Sequence, residues 1–228
     1  MADGSIFISR NQEEVILLQS FCDIQNLKLI SKSLIEFNKI TYLLPKNWDV
    51  LFFPSPRAVD FFFNQISSYD FSDKKIACAG KGTALALKQW VNEVNFVPSN
   101  SGMINEVQDE FKNWLGDKNV LFVGSNESKK SVLATIPKSQ CDFIQVYETK
   151  YKSELISPCK WYIFSSPSNV RSFLMMNSLD QNVKVVSWGQ STTNELIKNG
   201  IIPVLELKTS ELSELIEYLI VSFIQEQL

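Results

Sequence analysis

Serine hydroxyls and the first free N–H groups of a helix together make a cradle for an anion, and this chain offers that arrangement twice. Ser55-Pro56 lies in the stretch FPSPRAV (53–59) and Ser166-Pro167 in FSSPSNV (164–170), each time where an apolar run hands over to a helical one. A serine at the N-cap accepts from an amide one turn in, and proline at the first helical position wastes no donor. Plain helix capping explains either copy alone. Repetition at strand-to-helix junctions adds a binding reading, because loops leaving the carboxyl ends of parallel strands line the ligand crevice of open α/β sheets. A second pair of loops repeats as well, GKGT (80–83) and GQST (189–192), ending in Thr83 and Thr192. GKGTALA fits neither a Walker loop nor a dinucleotide fingerprint, so a tight glycine turn with a threonine cap is its simplest local reading.

The chain contains no histidine. That removes the commonest general base and metal ligand, and with them Ser-His-Asp, Cys-His and HExxH chemistry. Tyr147, in QVYET (145–149), lies between the two repeats. An aromatic on an extended edge segment is ordinary, but in a cleft without histidine this phenol is among the few side chains able to donate a proton.

The elements that must position these residues follow from composition and rhythm. The 228 residues are 45% hydrophobic, 21% charged and 12% aromatic, which suits a globular protein with a buried core. A net charge of −3 argues against capture of a nucleic-acid backbone and leaves a small anion open. Cys22, Cys78, Cys141 and Cys159 are widely spaced with no CxxC pair, so they are expected to be reduced, mostly buried thiols. The start MADGSIFISR lacks an export pattern and no apolar stretch is long enough for a membrane span, which makes the cytoplasm the expected compartment.

Short apolar strands alternate with amphipathic helical stretches, the pattern of parallel sheets with crossover helices. Strands are expected at SIFISR (5–10), near Leu27 to Ile30, at DVLFF (49–53), KIACAG (75–80), VNFVP (94–98), NVLFVG (119–124), WYIFSS (161–166), VKVVSWG (183–189) and IIPVLEL (201–207), with an extended CDFIQVYETKY (141–151). Helices are expected over EEVILLQSF, Pro56 to Phe63, Thr83 to Val91, Asn105 to Leu115, Ser128 to Ile136, Pro167 to Met176 and Thr192 to Asn199. A last helix from about Ser210 sets Leu212, Leu215, Ile216, Leu219, Ile220 and Phe223 on one face as core packing. SKSLIEFNKI (31–40) suits a connector or edge strand better than a buried one. The repeat pairs Ser55-Pro56 with Ser166-Pro167, Val59 with Val170, Phe62 with Phe173 and Leu87 with Leu196. Two similar α/β domains account for it most simply.

The ordered set Ser-Pro-x-x-Val, Gly-x-Gly-Thr, Val-Tyr-x-Thr, Ser-Pro-Ser-x-Val and Gly-x-(Ser/Thr)-Thr resembles the uroporphyrinogen-III synthase family over essentially the whole chain. The resemblance implies two Rossmann-like parallel-sheet α/β domains, one inserted into the other through a two-stranded extended connector. Residues 1–34 and 150–228 would form one domain, 40–142 the inserted one, and 35–39 and 143–149 the connectors. It also implies a monomer acting on one small-molecule substrate, the linear tetrapyrrole hydroxymethylbilane, without metal or organic cofactor, nucleic acid or membrane. Cyclisation with inversion of the last ring and loss of water demands conformational control and charge stabilisation more than a strong nucleophile.

Carried onto this sequence, Tyr147 would donate a proton or hydrogen bond to the leaving hydroxyl. Thr83, Ser166 and Thr192 match cleft-facing positions, with Ser55 as counterpart of Ser166, Asn169 in the next turn, and Arg10 as a carboxylate partner. The segment VGSNESKK lacks an expected arginine, leaving Lys129 or Lys130 as substitutes, and Trp188 stands where a small aliphatic residue is more usual. A two-domain small-anion binding protein without catalysis is the alternative. A two-Rossmann glycosyltransferase would need an acidic ribose ligand that has no suitable place.

Overall fold

The computed structural model describes residues 4–66, 70–99 and 104–225. The chain divides into two compact units, Met1–Glu36 with Lys150–Leu228, and Phe37–Thr149. The first unit holds β1 (Ser5–Ile8), α1 (Ile16–Ile24), β2 (Lys28–Ser31), β8 (Trp161–Phe164), α5 (Pro167–Leu174), β9 (Lys184–Ser187), α6 (Gln190–Lys198), β10 (Leu205–Glu206) and α7 (Leu212–Gln225). The other elements are β3 (Ile35–Lys39), β4 (Val50–Phe53), α2 (Pro56–Phe63), β5 (Lys75–Cys78), α3 (Lys81–Leu87), α4 (Ile104–Leu115), β6 (Val120–Ser125) and β7 (Cys141–Tyr151). Among the described residues these strands form two five-stranded sheets, ordered β10-β9-β8-β1-β2 and β3-β7-β6-β4-β5. Pairing is parallel from β10 through to β2 and from β7 through to β5.

Continuous apolar runs read as strands covered on both faces, and the cores bear this out. In β4, Leu51 and Phe53 face α2 and α3, while Val50 and Phe52 face α4. In β1 and β8, Ile6, Ile8, Trp161 and Ile163 pack toward α1 and α7, and Phe7, Tyr162 and Phe164 pack toward α5 and α6. Such an arrangement leaves only loops at strand ends for chemistry.

Several expected elements differ. Ser128 to Ile136 is not a helix but carries a 3-10 turn at Ser131–Leu133, with another at Lys138–Gln140. Val132, Leu133 and Ile136 have helical spacing, yet they are buried beside α4, and Pro137 closes the segment before a full helix can form. VNFVP contributes one bridge, Phe96 to Ala77, because the Asn95 side chain accepts from the Ile76 amide and displaces the ladder there (2.8 Å). The helix expected from Thr83 to Val91 starts earlier, at Lys81, and ends at Leu87. Within IIPVLEL only Leu205–Glu206 is strand. Along α7, Leu215 and Leu219 are buried as expected, but Ile220 is 42% exposed and Tyr218 takes its place against the core.

Candidate functional site

The repeat is present in the backbone. Ser55 (φ −159°, ψ 157°) and Ser166 (φ −161°, ψ 156°) cap α2 and α5 in the same conformation, each followed by proline. The Ala58 amide donates to Ser55 Oγ and the Asn169 amide to Ser166 Oγ, both at 3.3 Å. Gly80 and Gly189 cap α3 and α6, so Thr83 and Thr192 occupy equivalent places in the first turn.

In the first unit the ends of β1 and β8 are zipped together. The Ser165 amide donates to Ser9 Oγ (2.8 Å) and Ser165 Oγ donates to the Ser9 carbonyl (2.7 Å). The zip sets Arg10 and Ser166, the next residues along, on neighbouring strand ends. Arg10 lays its guanidinium over the Trp188 ring, 4.1 Å from the centroid. Trp188 is 7% exposed and immediately precedes Gly189, so Arg10 lies beside the start of α6 and the loop carrying Thr192. Arg10 Nε is buried with no hydrogen-bond partner. Burial pushes the guanidinium below its ordinary value, and nearby Glu14 acts in the opposite direction. Among the described residues no acid forms an ion pair with Arg10. A half-buried cation without a direct ion pair is unusual, since buried charges are normally paired.

Asn169 is committed within its own unit. Its Oδ1 accepts from the Leu34 amide (2.8 Å) and its Nδ2 donates to Ser166 Oγ (3.0 Å), while Ser172 Oγ donates to the Leu34 carbonyl (2.6 Å). The buried Asn169 amide therefore clamps the chain just before β3 and orients the Ser166 hydroxyl. Thr192 is 2% exposed and its hydroxyl bonds to no described residue. The next residue, Thr193, has its hydroxyl 2.6 Å from Ser187 Oγ, which fixes α6 on β9. Arg171 is engaged inside its unit: it donates to Glu195 (2.8 Å), to the Tyr151 hydroxyl (2.9 Å) and to Ser168 Oγ (3.3 Å).

In the second unit Tyr147 lies on β7 where the ladder slips. Gly124 pairs with Gln145 but Ser125 pairs with Tyr147, so one residue bulges. The slip turns both Val146 and Tyr147 toward the α2 side, which strict alternation would forbid. Gly124, beside the slip, makes room for Ser128: a Cβ there would lie 2.7 Å from Ser128 Oγ. The Tyr147 ring is 6% exposed, stacks on Phe61 (4.9 Å) and meets Phe37 edge-on (6.0 Å). Its hydroxyl bonds to no described residue. Arg57, in the first turn of α2, lies over Phe37 at 3.6 Å and pairs with no acid among the described residues. Phe37 thus touches both Arg57 and Tyr147. Thr83 is 5% exposed and, like Thr192, its hydroxyl meets no described partner. Lys129 is exposed, and Lys130 lies over Phe143 at 3.5 Å.

Sequence reasoning singled out Arg10 but not Arg57, the role of Trp188, or the Ser9–Ser165 zip. One signal was available: against nineteen lysines the chain has only three arginines, Arg10, Arg57 and Arg171, and the first two closely follow strands. A cavity of about 410 Å3 in the second unit, lined by Lys74, Lys75, Trp90 and Asn92, opens at the amino end of β5, away from the repeated loops. Among the described residues no cluster suits a metal ion, and no helix is long and apolar enough to cross a membrane.

The family model for uroporphyrinogen-III synthase HemD matches residues 29–217. No curated protein matches by sequence. Among solved structures, uroporphyrinogen-III synthetase from Helicobacter pylori is similar at 22% identity and a TM-score of 0.67, over 96% of this chain and 99% of that one. A methionine-substituted uroporphyrinogen III synthase from Thermus thermophilus is similar at 11% identity and a TM-score of 0.68, over 98% and 99%. The fold is shared with both, and the motif order read from the sequence agrees with the family match. The chain belongs to the uroporphyrinogen-III synthase family, enzymes of tetrapyrrole and haem biosynthesis that act on a small molecule.

Proposed function

We propose that the protein cyclises hydroxymethylbilane, which carries eight carboxylates, to uroporphyrinogen III with inversion of the last ring and release of water, as a cofactor-free hydro-lyase. The observation that carries this reading is Arg10, a half-buried guanidinium at the carboxyl edge of its sheet that forms no ion pair among the described residues, Glu14 acting on it only from a distance. Arg57, although exposed, repeats the ring stack in the second unit. Each takes a substrate carboxylate through paired, charge-assisted hydrogen bonds. Free amides at the starts of α5 and α6, with the hydroxyls of Ser166 and Thr192, take others. Ser55 and Thr83 do the same in the second unit. Asn169 acts through Ser166 as a positioning residue.

Departure of the terminal hydroxyl breaks a C–O bond whose electron pair leaves with oxygen, while a pyrrole nitrogen lone pair stabilises the cation left behind. Tyr147 donates the proton that turns hydroxide into water. A proton lost from carbon when the ring closes restores the phenol. Stacking on Phe61 fixes the ring so that only its hydroxyl end acts. Anchored carboxylates hold three rings while the fourth turns over, so positioning supplies much of the rate. The working unit is a single chain. Four free thiols fit a reducing compartment, the cytoplasm.

Incubation with freshly generated hydroxymethylbilane tests the reading. Type III isomer formed faster than background supports it, and type I isomer alone refutes it.

A further inference from the structure

The three arginines divide into two kinds. Arg171 is held by an acid, Glu195, and bonds inside the protein, with the Tyr151 ring only a distant neighbour at 6.0 Å. Arg10 and Arg57 are held by ring faces, Trp188 at 4.1 Å and Phe37 at 3.6 Å. The difference has a chemical consequence. A carboxylate partner occupies the guanidinium fork, whereas a ring beneath it fixes the plane and leaves in-plane N–H groups unpaired, which in Arg10, with Nε buried, leaves the two terminal nitrogens for a ligand. Lysines also lie over rings here: Lys74 over Trp48 and Lys184 over Trp161 are at the amino ends of β5 and β9, where no repeated loop lies, and Lys130, over Phe143, follows β6 and presents an ammonium without the planar fork. The two arginines follow β1 and β4, at the carboxyl ends.

Trp188 is further constrained at its backbone. Its amide donates to the Phe164 carbonyl (2.9 Å) and its carbonyl accepts from Ser210 Oγ (2.7 Å), with Ser210 in the left-handed region at φ 58°. The Arg10 carbonyl accepts from Ser31 Oγ (2.8 Å). Both partners of the stack are thus anchored at the main chain, and the guanidinium is oriented by the indole. Phe37 is anchored differently, by membership of β3 and by its edge contact with Tyr147.

We propose that Trp188 and Phe37 are positioning residues that hold Arg10 and Arg57, one in each unit, with their forks presented to substrate carboxylates. The inference rests on the cyclase reading and deepens it: ring faces stand in for internal acids so that only the substrate's acids pair with these cations.

A double-mutant cycle tests it in the full chain, with uroporphyrin III, an eight-carboxylate macrocycle, as the binding probe. Loss of one charge-assisted contact lowers affinity roughly tenfold or more. Arg10→Ala is expected to do so, and Trp188→Leu to lower affinity about three- to tenfold in the native background. In the Arg10→Ala background the Trp188→Leu change is expected to cost less than about twofold, because it acts through the arginine. Trp188→Phe, which restores a ring face, should recover most of the affinity. Phe37→Leu with Arg57→Ala forms a second cycle at a half-buried position, informative even should Trp188→Leu fail to fold. Equal losses with and without the arginine, or no loss in either cycle, overturn the inference. Wild-type protein that makes type III isomer in either case separates this failure from failure of the cyclase reading.

Discussion

Arg10 and Trp188 form a stacked pair, guanidinium carbon 4.1 Å from ring centre, with Nε sealed from solvent and unbonded. A structural arginine would be expected to form a contact ion pair, which Glu14, the nearby acid, does not make. This one is braced by a ring instead, an arrangement that suits a site where the acid arrives from outside. Arg10→Ala should therefore raise the KM for hydroxymethylbilane about tenfold or more while changing the melting temperature little. Arg10→Lys should not restore KM, since an ammonium lacks the planar fork. Steady-state kinetics read both, and an unchanged KM in Arg10→Ala removes the assignment.

Tyr147 carries the proposed proton transfer. Tyr147→Phe keeps the ring stacked on Phe61 and deletes only the hydroxyl, so circular dichroism should match wild type. Turnover should fall about a hundredfold or more, the usual contribution of a general acid. Full turnover in the variant would return Tyr147 to a packing role.

Gly124 supports that tyrosine indirectly. Its missing side chain lets Ser128 Oγ accept from the Ser125 amide at 2.8 Å, beside the slip in register. Gly124→Ala would bring Cβ within 2.9 Å of Ser128 Cβ and should destabilise the protein by about 1–3 kcal/mol in urea unfolding. A variant as stable as wild type would show that the turn relaxes freely.

Alkaline pH offers a test of the core. Burial, with Asp23 adding to it, pushes the Cys22 thiol from 9.0 up to about 11. The folded state then keeps a proton that the unfolded state has begun to lose. Stability is fully present below about pH 9 and falls as pH climbs toward about 11. The other three thiols, also raised by burial, act in the same direction. Urea midpoints should drop across that window, with a shallower drop in Cys22→Ala. A flat profile would mean that these thiols are reached by water.

The alternating strands and helices were legible because both faces of each sheet are covered, which writes unbroken apolar runs such as VLFF and WYIF. The Ser-Pro caps were legible because their chemistry is local. Ser128 to Ile136 misled because Val132, Leu133 and Ile136 mimic helical spacing over too short a span before Pro137. The slip at Ser125, which turns Tyr147 onto the α2 side, leaves no mark in sequence alternation. Nor do the arginine stacks: Arg10 is 178 positions from Trp188 and Arg57 is 20 from Phe37, and only the folded chain joins them. Asn169 read as a binding residue from its place in a motif, whereas its amide is spent on Leu34 and Ser166.

The most direct measurement is the isomer ratio of uroporphyrinogen formed from hydroxymethylbilane by wild-type protein and by the Arg10→Ala/Arg57→Ala double variant. Type III product from the wild type, with the double variant falling to the uncatalysed type I background at the same substrate concentration, is the predicted result. Type I product from the wild type, or undiminished type III product from a chain lacking both arginines, would contradict the account.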